Sequence, residues 1–292
     1  MPFCRFIFLF FVFFGIASTI YGEQDIWLID THSVSWNRAS ENDFGRIEYR
    51  RFRNHCWEDS NAAAFFDSQN PLVPLILFAP GYTSTTANTI EVGLGITQLL
   101  TQEKPHRMVF WNWPSQRISH GLRQDIRAKI PVAAANGQYM AQFLQLLKPD
   151  SQVCLLGFSF GNRIIGDAVV HLENDQPQHL RIRMVMASPA TDQHDFLEGA
   201  KYAPIPERVE KILVLYNPND FRLSFYPFLY DPAIPIDALG RYGPSASVRQ
   251  KYQDKIEAVN VDSYIGIRHK TLIVLNTPAF RQRINTYLFF EP

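Results

Sequence analysis

The sequence predicts an α/β fold in which a mostly parallel central sheet carries helices on both faces and is preceded by antiparallel strands. From Leu72 onward, short apolar runs alternate with longer segments of helical periodicity, a pattern typical of β-α-β units. Several of these runs are continuously apolar, as expected for strands buried on both faces. One run leads directly into a G-x-S-x-G pattern at Gly157–Gly161.

Composition favours one domain. The chain has 292 residues, 46% of them hydrophobic, so a single domain of ordinary size can bury a full core. Its 28 basic and 28 acidic side chains give a formal net charge of zero. Proteins that bind nucleic acid usually carry a basic stripe, so we expect no nucleic-acid partner.

The first 22 residues have the layout of a secretory signal peptide. Arg5 is the only early charge, the run from Phe6 to Ile16 is almost purely apolar, and small residues follow as far as Gly22. This run is shorter than the ~20 residues that a membrane-spanning helix needs, and an uncleaved anchor is the alternative. We predict export to the periplasm or the medium and a mature domain of residues 23–292, associated with a membrane only if the segment is retained.

Cysteine usage argues against a disulfide scaffold and a metal centre. Export leaves Cys56 and Cys154, and the position of Cys154 in a predicted strand fits a buried thiol. A disulfide between the two has no support from their spacing. No Cys/His cluster has metal-ligand spacing, so the sequence predicts no metal and no cofactor.

The N-terminal part of the domain predicts two exposed antiparallel strands, at 25–36 and 46–52, followed by a loop or a short helix within 58–70. His32 and His55 fall here, and we expect both to be surface histidines. The strands of the main sheet are predicted at 72–79, 106–113, 153–156, 180–187, 209–216 and 256–261. Helices are predicted at 86–101, 132–147 and 162–170, a helix end at 286–290, and a polar stretch near the mouth of the site at 118–129.

The order strand, G-x-S-x-G, helix is the context of a nucleophile elbow. The tight turn leaves no room for side chains beside the serine, which explains Gly157 and Gly161. Ser159 would then project at the carboxyl edge of the sheet as the nucleophile, and the Phe160 N–H would point at the developing oxyanion.

A glycine turn at Pro80-Gly81-Tyr82 follows the strand at 72–79. In such folds the second oxyanion donor comes from this turn, where a backbone N–H approaches the substrate. Tyr82 is the candidate donor, and an ordinary strand-to-helix turn is the alternative.

A histidine base and an orienting carboxylate must follow the serine in the order Ser, acid, His. Of the histidines after Ser159, His269 alone follows the last predicted strand, so it is the candidate base; a solvated basic loop is the alternative. Asp220 ends a strong strand and precedes His269, so it is the candidate acid. Asp192, one strand earlier, is the alternative acid.

These residues resemble a family of uncharacterised bacterial α/β-hydrolases, described as a domain of unknown function related to lipase-like serine hydrolases. The resemblance rests on the following motifs: Trp113-Pro114-Ser115, Asp125, Gly157–Arg163, Asn219-Asp220 with Leu223-Ser224, Arg241-Tyr242-Gly243 and a late histidine, His269. It covers about residues 72–275 and implies Ser159 as nucleophile, Asp220 as acid and His269 as base. Two departures occur: Pro80-Gly81 replaces the family's His-Gly, and Phe158-Ser159-Phe160-Gly161 replaces its His-Ser-Met-Gly.

The leading functional hypothesis is an exported serine hydrolase that cleaves a small-molecule acyl ester, as a carboxylesterase or lipase does. A catalytically silent binding module of the cell envelope with the same fold is the rival, and acyl transfer to an alcohol is a third option because it uses the same acyl-enzyme. Fold analogy does not name the substrate.

Overall fold

The computed structural model describes residues 25–36, 39–100, 104–118, 121–172, 180–230 and 236–291. The predicted signal segment lies outside these residues and stays a prediction. Within the described ranges, none of the helices combines the length and the hydropathy that crossing a bilayer requires.

The described residues form one nine-stranded sheet. Its strands are β1 (Asp25–Asp30), β2 (Glu48–Arg53), β3 (Cys56–Ser60), β4 (Leu75–Ala79), β5 (Arg107–Asn112), β6 (Gln152–Phe158), β7 (Arg181–Ala187), β8 (Lys211–Tyr216) and β9 (Ile256–Asn260). The spatial order is β3-β2-β1-β5-β4-β6-β7-β8-β9. Strand β1 and strands β4 to β9 are parallel to one another, whereas β2 and β3 form an antiparallel hairpin beside β1. The predicted fold class is confirmed.

Helices cover both faces of the sheet. The longer ones are α3 (Thr86–Leu100), α4 (Leu122–Gln145) and α5 (Gly161–His171). The shorter ones are α1 (Glu41–Phe44), α2 (Ala62–Asp67), α6 (Ile205–Arg208), α7 (Tyr226–Tyr230), α8 (Leu239–Tyr242), α9 (Ala246–Lys251), α10 (Asp262–Ile265), α11 (Thr271–Leu275), α12 (Pro278–Arg281) and α13 (Ile284–Leu288), with a 3-10 helix at Leu223–Phe225.

Two apolar cores form because successive strand side chains point to opposite faces. In β4, Leu75 and Leu77 contact the core under α4 and α5, whereas Ile76 and Phe78 contact the core under α3 and the C-terminal helices. Full burial of each such side chain contributes about 1.5–3 kcal/mol. The continuous apolar runs therefore predict this three-layer arrangement correctly.

The prediction of two exposed N-terminal strands is wrong for β1. Residues Ile26 to Ile29 are buried, and β1 pairs in parallel with β5 while β2 pairs with its other side. The cause is a run of four apolar residues, Ile26-Trp27-Leu28-Ile29, which supplies apolar side chains to both cores. His32 lies in the turn after β1, and His55 in the turn of the hairpin, at a positive φ of 62°.

Of the loop or short helix predicted within 58–70, the structure has the short helix, α2, which begins at the Asn61 cap, where the side chain accepts a hydrogen bond from Ala64 N–H at 2.8 Å. Strand β3, which ends at Ser60, was not predicted. The polar stretch 118–129 is largely helical, because α4 begins at Leu122 and continues through Pro131. Cys56 is exposed and Cys154 is buried, and both are free thiols.

The order of the strands determines where Ser159 lies in the sheet. From β4 the chain moves to β5 on one side and then returns to β6 on the other side of β4. Ligands of open α/β sheets bind outside the carboxyl ends of the strands at such a reversal. Ser159 follows the carboxyl end of β6 at this point.

Candidate active site

Ser159 lies in a strained turn between β6 and α5. Its φ is 52°, in the left-handed region, and its N–H donates to the Ala187 carbonyl at 3.0 Å. Both flanking glycines are required by space, because a Cβ on Gly157 would lie 2.6 Å from Asn162 Oδ1 and one on Gly161 would lie 2.1 Å from the Ala79 carbonyl oxygen. The turn therefore has the form of a nucleophile elbow, with the serine side chain partly exposed.

A continuous hydrogen-bonded chain joins three of the predicted residues. His269 Nε2 lies 2.9 Å from Ser159 Oγ, and His269 Nδ1 lies 2.6 Å from Asp220 Oδ2. The Asp220 carboxylate is completely buried and the His269 side chain is 9% exposed. Since an ionised carboxylate only accepts hydrogen bonds, Nδ1 carries the proton and Nε2 is left to accept from the serine hydroxyl.

Hydrogen bonds within and between the loops after β8 and β9 hold Asp220 and His269 next to each other. The second Asp220 oxygen, Oδ1, accepts from Leu223 N–H at 3.0 Å. Asn217 Nδ2 donates to the Gly266 carbonyl at 2.7 Å, which joins the two loops directly. The ring of Phe158 lies 4.8 Å from the imidazole, centroid to centroid, and closes one side of it.

The alternative acid, Asp192, has different partners. Its Oδ1 accepts from His194 N–H at 2.8 Å and lies 3.7 Å from His194 Nδ1, and its own N–H donates to Asp195 at 2.9 Å. These contacts stabilise the turn after β7. The carboxylate beside His269 is that of Asp220. His171 bonds to the Asp167 carbonyl on α5, and His179 lies outside the described residues.

The predicted oxyanion turn lies beside the serine. A Cβ on Gly81 would lie 3.2 Å from Ser159 Cβ, so the backbone of this turn approaches Ser159 closely. The Tyr82 ring lies 6.2 Å from the Phe160 ring, and Thr83 N–H donates to the Ser115 carbonyl at 3.0 Å. The backbone of the turn is thus fixed against the loop after β5.

A buried polar cluster beneath this turn includes contacts that the sequence does not indicate. Asp125 is completely buried and accepts hydrogen bonds from the Tyr82 hydroxyl and from the Ile118 N–H, the latter at 2.7 Å. Burial and Asp125 raise the pKa of Tyr82. The Lys129 ammonium is also buried and donates to the Pro114 carbonyl at 2.7 Å, and burial lowers its pKa. Asp125 belongs to the sequence resemblance, but Lys129 gives no signal because a lysine in a helix usually predicts a solvated face.

Among the described residues, no group of three or more His, Cys, Asp or Glu side chains is arranged to hold a metal ion.

Comparison with known proteins gives only remote similarities. No protein-family model matches the chain, and no curated protein matches it. Among solved structures, an uncharacterized protein from Bacillus cereus ATCC 10987 is similar at 12% identity and a TM-score of 0.44, over 75% of this chain and 60% of that one. The chain thus spans less than two thirds of that protein.

Two further structures show the same kind of likeness. A protein from Listeria innocua matches at 10% identity and a TM-score of 0.39, over 75% of this chain and 95% of that one. The catalytic core domain of acetyl xylan esterase from Trichoderma reesei matches at 14% identity and a TM-score of 0.33, over 75% of this chain and 97% of that one. The assignment of the α/β fold rests on the topology itself.

Proposed function

We propose that the protein is a serine hydrolase that cleaves an acyl ester through an acyl-enzyme. The observation that supports this proposal is the chain from Ser159 Oγ to His269 Nε2 at 2.9 Å and from His269 Nδ1 to Asp220 Oδ2 at 2.6 Å. Both distances lie within hydrogen-bond reach, and the serine is partly exposed at the carboxyl edge of the sheet.

In the proposed mechanism, Ser159 Oγ attacks the ester carbonyl while His269 Nε2 takes the hydroxyl proton. The imidazolium then gives this proton to the departing alcohol, which leaves an acyl-enzyme. Water attacks the acyl-enzyme with the same histidine acting as base, and the carboxylic acid is released. Asp220 holds the tautomer throughout and stabilises the imidazolium without becoming protonated.

We assign the oxyanion donors to two backbone N–H groups, those of Phe160 and Tyr82. Phe160 begins the turn of α5, and Tyr82 follows the close approach of Gly81 to Ser159. Donors fixed before the reaction lower the barrier because they cost no reorganisation when charge develops. The contact between the Tyr82 phenol and Asp125 supports this assignment because it fixes the turn from below.

Labelling with a fluorophosphonate probe tests the proposal. We expect the wild-type protein to be labelled, Ser159→Ala to be unlabelled, and His269→Ala to be labelled far more slowly. A Ser159→Ala substitution in a triad lowers kcat by roughly 10⁶-fold, so hydrolysis of short-chain esters should fall to background. His194→Ala is the matched control and should react like the wild type, because His194 is half-exposed and lies outside the triad.

A folded wild-type protein that does not react would reject the hydrolase and favour the binding module. Acyl transfer gives a different result: labelling persists, but added alcohols raise the yield of ester over free acid because they compete with water for the acyl-enzyme.

Export is a separate proposal that rests on the first 22 residues alone. We propose that they are removed and that residues 23–292 act outside the cytoplasm. The N-terminal residue of the protein recovered from an expressing bacterium tests this, and an intact N-terminus on a cytoplasmic protein contradicts it.

A further inference from the structure

Exposed apolar side chains of the described chain are concentrated at the edge of the sheet that carries Ser159. Of its eleven large exposed hydrophobic residues, Leu72 and Leu146 lie at the opposite, amino edge. The other nine follow the carboxyl end of a strand. Seven of these nine lie on three segments of the carboxyl edge: Ile118, Leu122, Phe221, Phe225, Phe228, Tyr264 and Ile267.

These seven side chains lie on segments that adjoin residues of the site. The segment 221–230 begins directly after Asp220, and the segment 263–270 contains His269. Phe221 N–H donates to the Ile267 carbonyl at 3.3 Å, so the two segments are continuous. The third segment, residues 117–118 and 121–124, ends beside Asp125, which contacts the turn next to the serine. We call the three segments together the carboxyl-edge rim.

The aromatic part of the rim is not buried by other parts of the described chain. The Phe221 and Phe225 rings are 5.2 Å apart, yet their exposed fractions are 59% and 44%. Phe228, one helical turn further, is 68% exposed. Monomeric proteins rarely expose several large apolar side chains together unless the surface meets a partner or a membrane.

The rim is also basic. Its three segments contain no Asp or Glu, in a chain whose formal net charge is zero. Four aspartates border the segments in the sequence: Asp125 and Asp220 are completely buried, Asp262 is half-buried, and Asp231 lies outside the described residues. The acidic side chains of the neighbouring loop after β7 lie outside the rim. The cations of the rim are Arg117, Arg123, Arg222, Arg268 and Lys270.

We propose that the carboxyl-edge rim docks on the surface of an anionic phospholipid bilayer. Aromatic side chains enter the boundary between headgroups and acyl chains, and the cations contact lipid phosphates. A symmetric contact with a second copy is disfavoured, because it would bring the same cations of both copies together. This inference rests on the proposed function in one respect: Ser159 then acts on esters that the lipid surface presents.

Sedimentation with vesicles tests the docking surface. The purified protein, with its N-terminus recorded by mass spectrometry, is mixed with vesicles of phosphatidylcholine alone or with phosphatidylglycerol at about 7:3. We expect stronger binding to the anionic vesicles, and loss of most of it on raising salt from about 0.1 M to about 1 M, which shortens the screening length from about 10 Å to about 3 Å.

Three variants with the same N-terminus locate the binding. The pair Arg123→Gln and Arg222→Gln should lower partitioning into anionic vesicles by roughly 25-fold, about fivefold for each cation, and leave binding to neutral vesicles unchanged. Phe228→Ser should lower both by about tenfold or more. Leu72→Ser, a matched exposed apolar residue at the amino edge, should bind as the wild type does.

Binding to neither vesicle, or an equal loss in Leu72→Ser, would overturn the proposal. Concentration-dependent dimers in light scattering that disappear in Phe228→Ser would assign the rim to a second copy instead. Ser159→Ala separates the two proposals because docking does not need the nucleophile. If Ser159→Ala binds vesicles and the wild type is not labelled by the fluorophosphonate, the docking surface stands and the hydrolase fails.

Discussion

Two buried polar clusters lie at opposite edges of the same sheet, and they differ in how completely their groups are paired. At the amino edge, the Arg107 guanidinium donates to Asp25 at 2.5 Å and to the Phe65 carbonyl at 2.8 Å. Asp25 also accepts from the Trp27 indole at 2.7 Å. At the carboxyl edge, the chain from Asp220 through His269 ends at a hydroxyl that is partly exposed.

The difference shows that a buried charged group can have a purely structural role. The amino-edge pair joins the first residues of β1 and β5, which lie opposite each other, and so fixes the register of the two strands. Its polar groups are engaged in contacts within the protein. The carboxyl-edge chain ends at Ser159, which is partly exposed. An open terminus at a strand reversal, rather than burial alone, distinguishes a candidate catalytic site from a structural ion pair.

Asp220→Asn should break the carboxyl-edge cluster with the largest effect. The amide nitrogen cannot accept the Nδ1 proton of His269, so the wrong tautomer is favoured and kcat/KM should fall about 10⁴-fold, with little loss of stability. The measurement is kcat/KM on a soluble short-chain ester. Asp192→Asn is the control and should retain the activity; activity lost in Asp192→Asn but retained in Asp220→Asn would assign the acid role to Asp192.

Arg107→Leu should break the amino-edge cluster without affecting the chemistry. It leaves Asp25 partly buried with a lost partner, and we expect the free energy of unfolding to fall by about 3–5 kcal/mol. Urea unfolding measures this loss, and kcat/KM of the folded variant should stay near the wild-type value. Replacing Asp25 by Leu as well should recover part of the stability, and a double variant less stable than Arg107→Leu contradicts the ion-pair account.

Tyr82→Phe sharpens the comparison, because it removes one hydrogen bond from a buried cluster next to the reacting atoms. Asp125 loses the phenol as donor, so stability should fall by about 1–3 kcal/mol. If the Tyr82 turn supplies an oxyanion donor, its movement should also lower kcat, by roughly tenfold, with KM little changed. Steady-state kinetics measures kcat and KM separately. A change in KM alone would remove the turn from the proposed oxyanion site.

Asp195 is a half-buried carboxylate outside both clusters, and its substitution should have the smallest effect. Burial raises the pKa of its carboxyl to about 6, above the ordinary 3.8, although Arg163 opposes the shift. The folded state therefore holds the proton more tightly than the unfolded chain, and stability falls as pH rises from about 4 to about 6. Asp195→Asn should raise stability by about 1–2 kcal/mol above pH 6 and leave it unchanged below pH 4. Thermal unfolding against pH checks the sign, which a stabilising carboxylate would reverse.

Most of the parallel sheet was predictable because β4 to β9 have strand-length apolar runs separated by turn residues. The elbow, and the positions that bring Asp220 and His269 to one edge, follow from chain order and from the rule that parallel strands end together. The catalytic role of these residues stays a prediction until the labelling is done. The interior position of β1 was missed, although its four apolar residues indicate burial on both faces.

Contacts between side chains and groups far apart in the chain could not be predicted from the sequence. The contact between Tyr82 and Asp125 joins residues 43 positions apart, and no local pattern encodes it. The burial of Lys129 depends on the Pro114 carbonyl, which α4 meets only after the sheet has formed. Such contacts depend on tertiary packing, whereas hydrophobic periodicity records only which face is buried.

The separation of the elbow from its base imposes an order in time. Ser159 and His269 lie 110 residues apart in the chain, and the loop that carries His269 is joined to the loop of Asp220 by the Asn217–Gly266 hydrogen bond. During synthesis the serine turn emerges before Asp220 and His269. In the proposed mechanism, Ser159 can therefore act as a nucleophile only after β9 has joined the sheet, so a nascent chain or a fragment cut before that strand would carry the serine in an inert form.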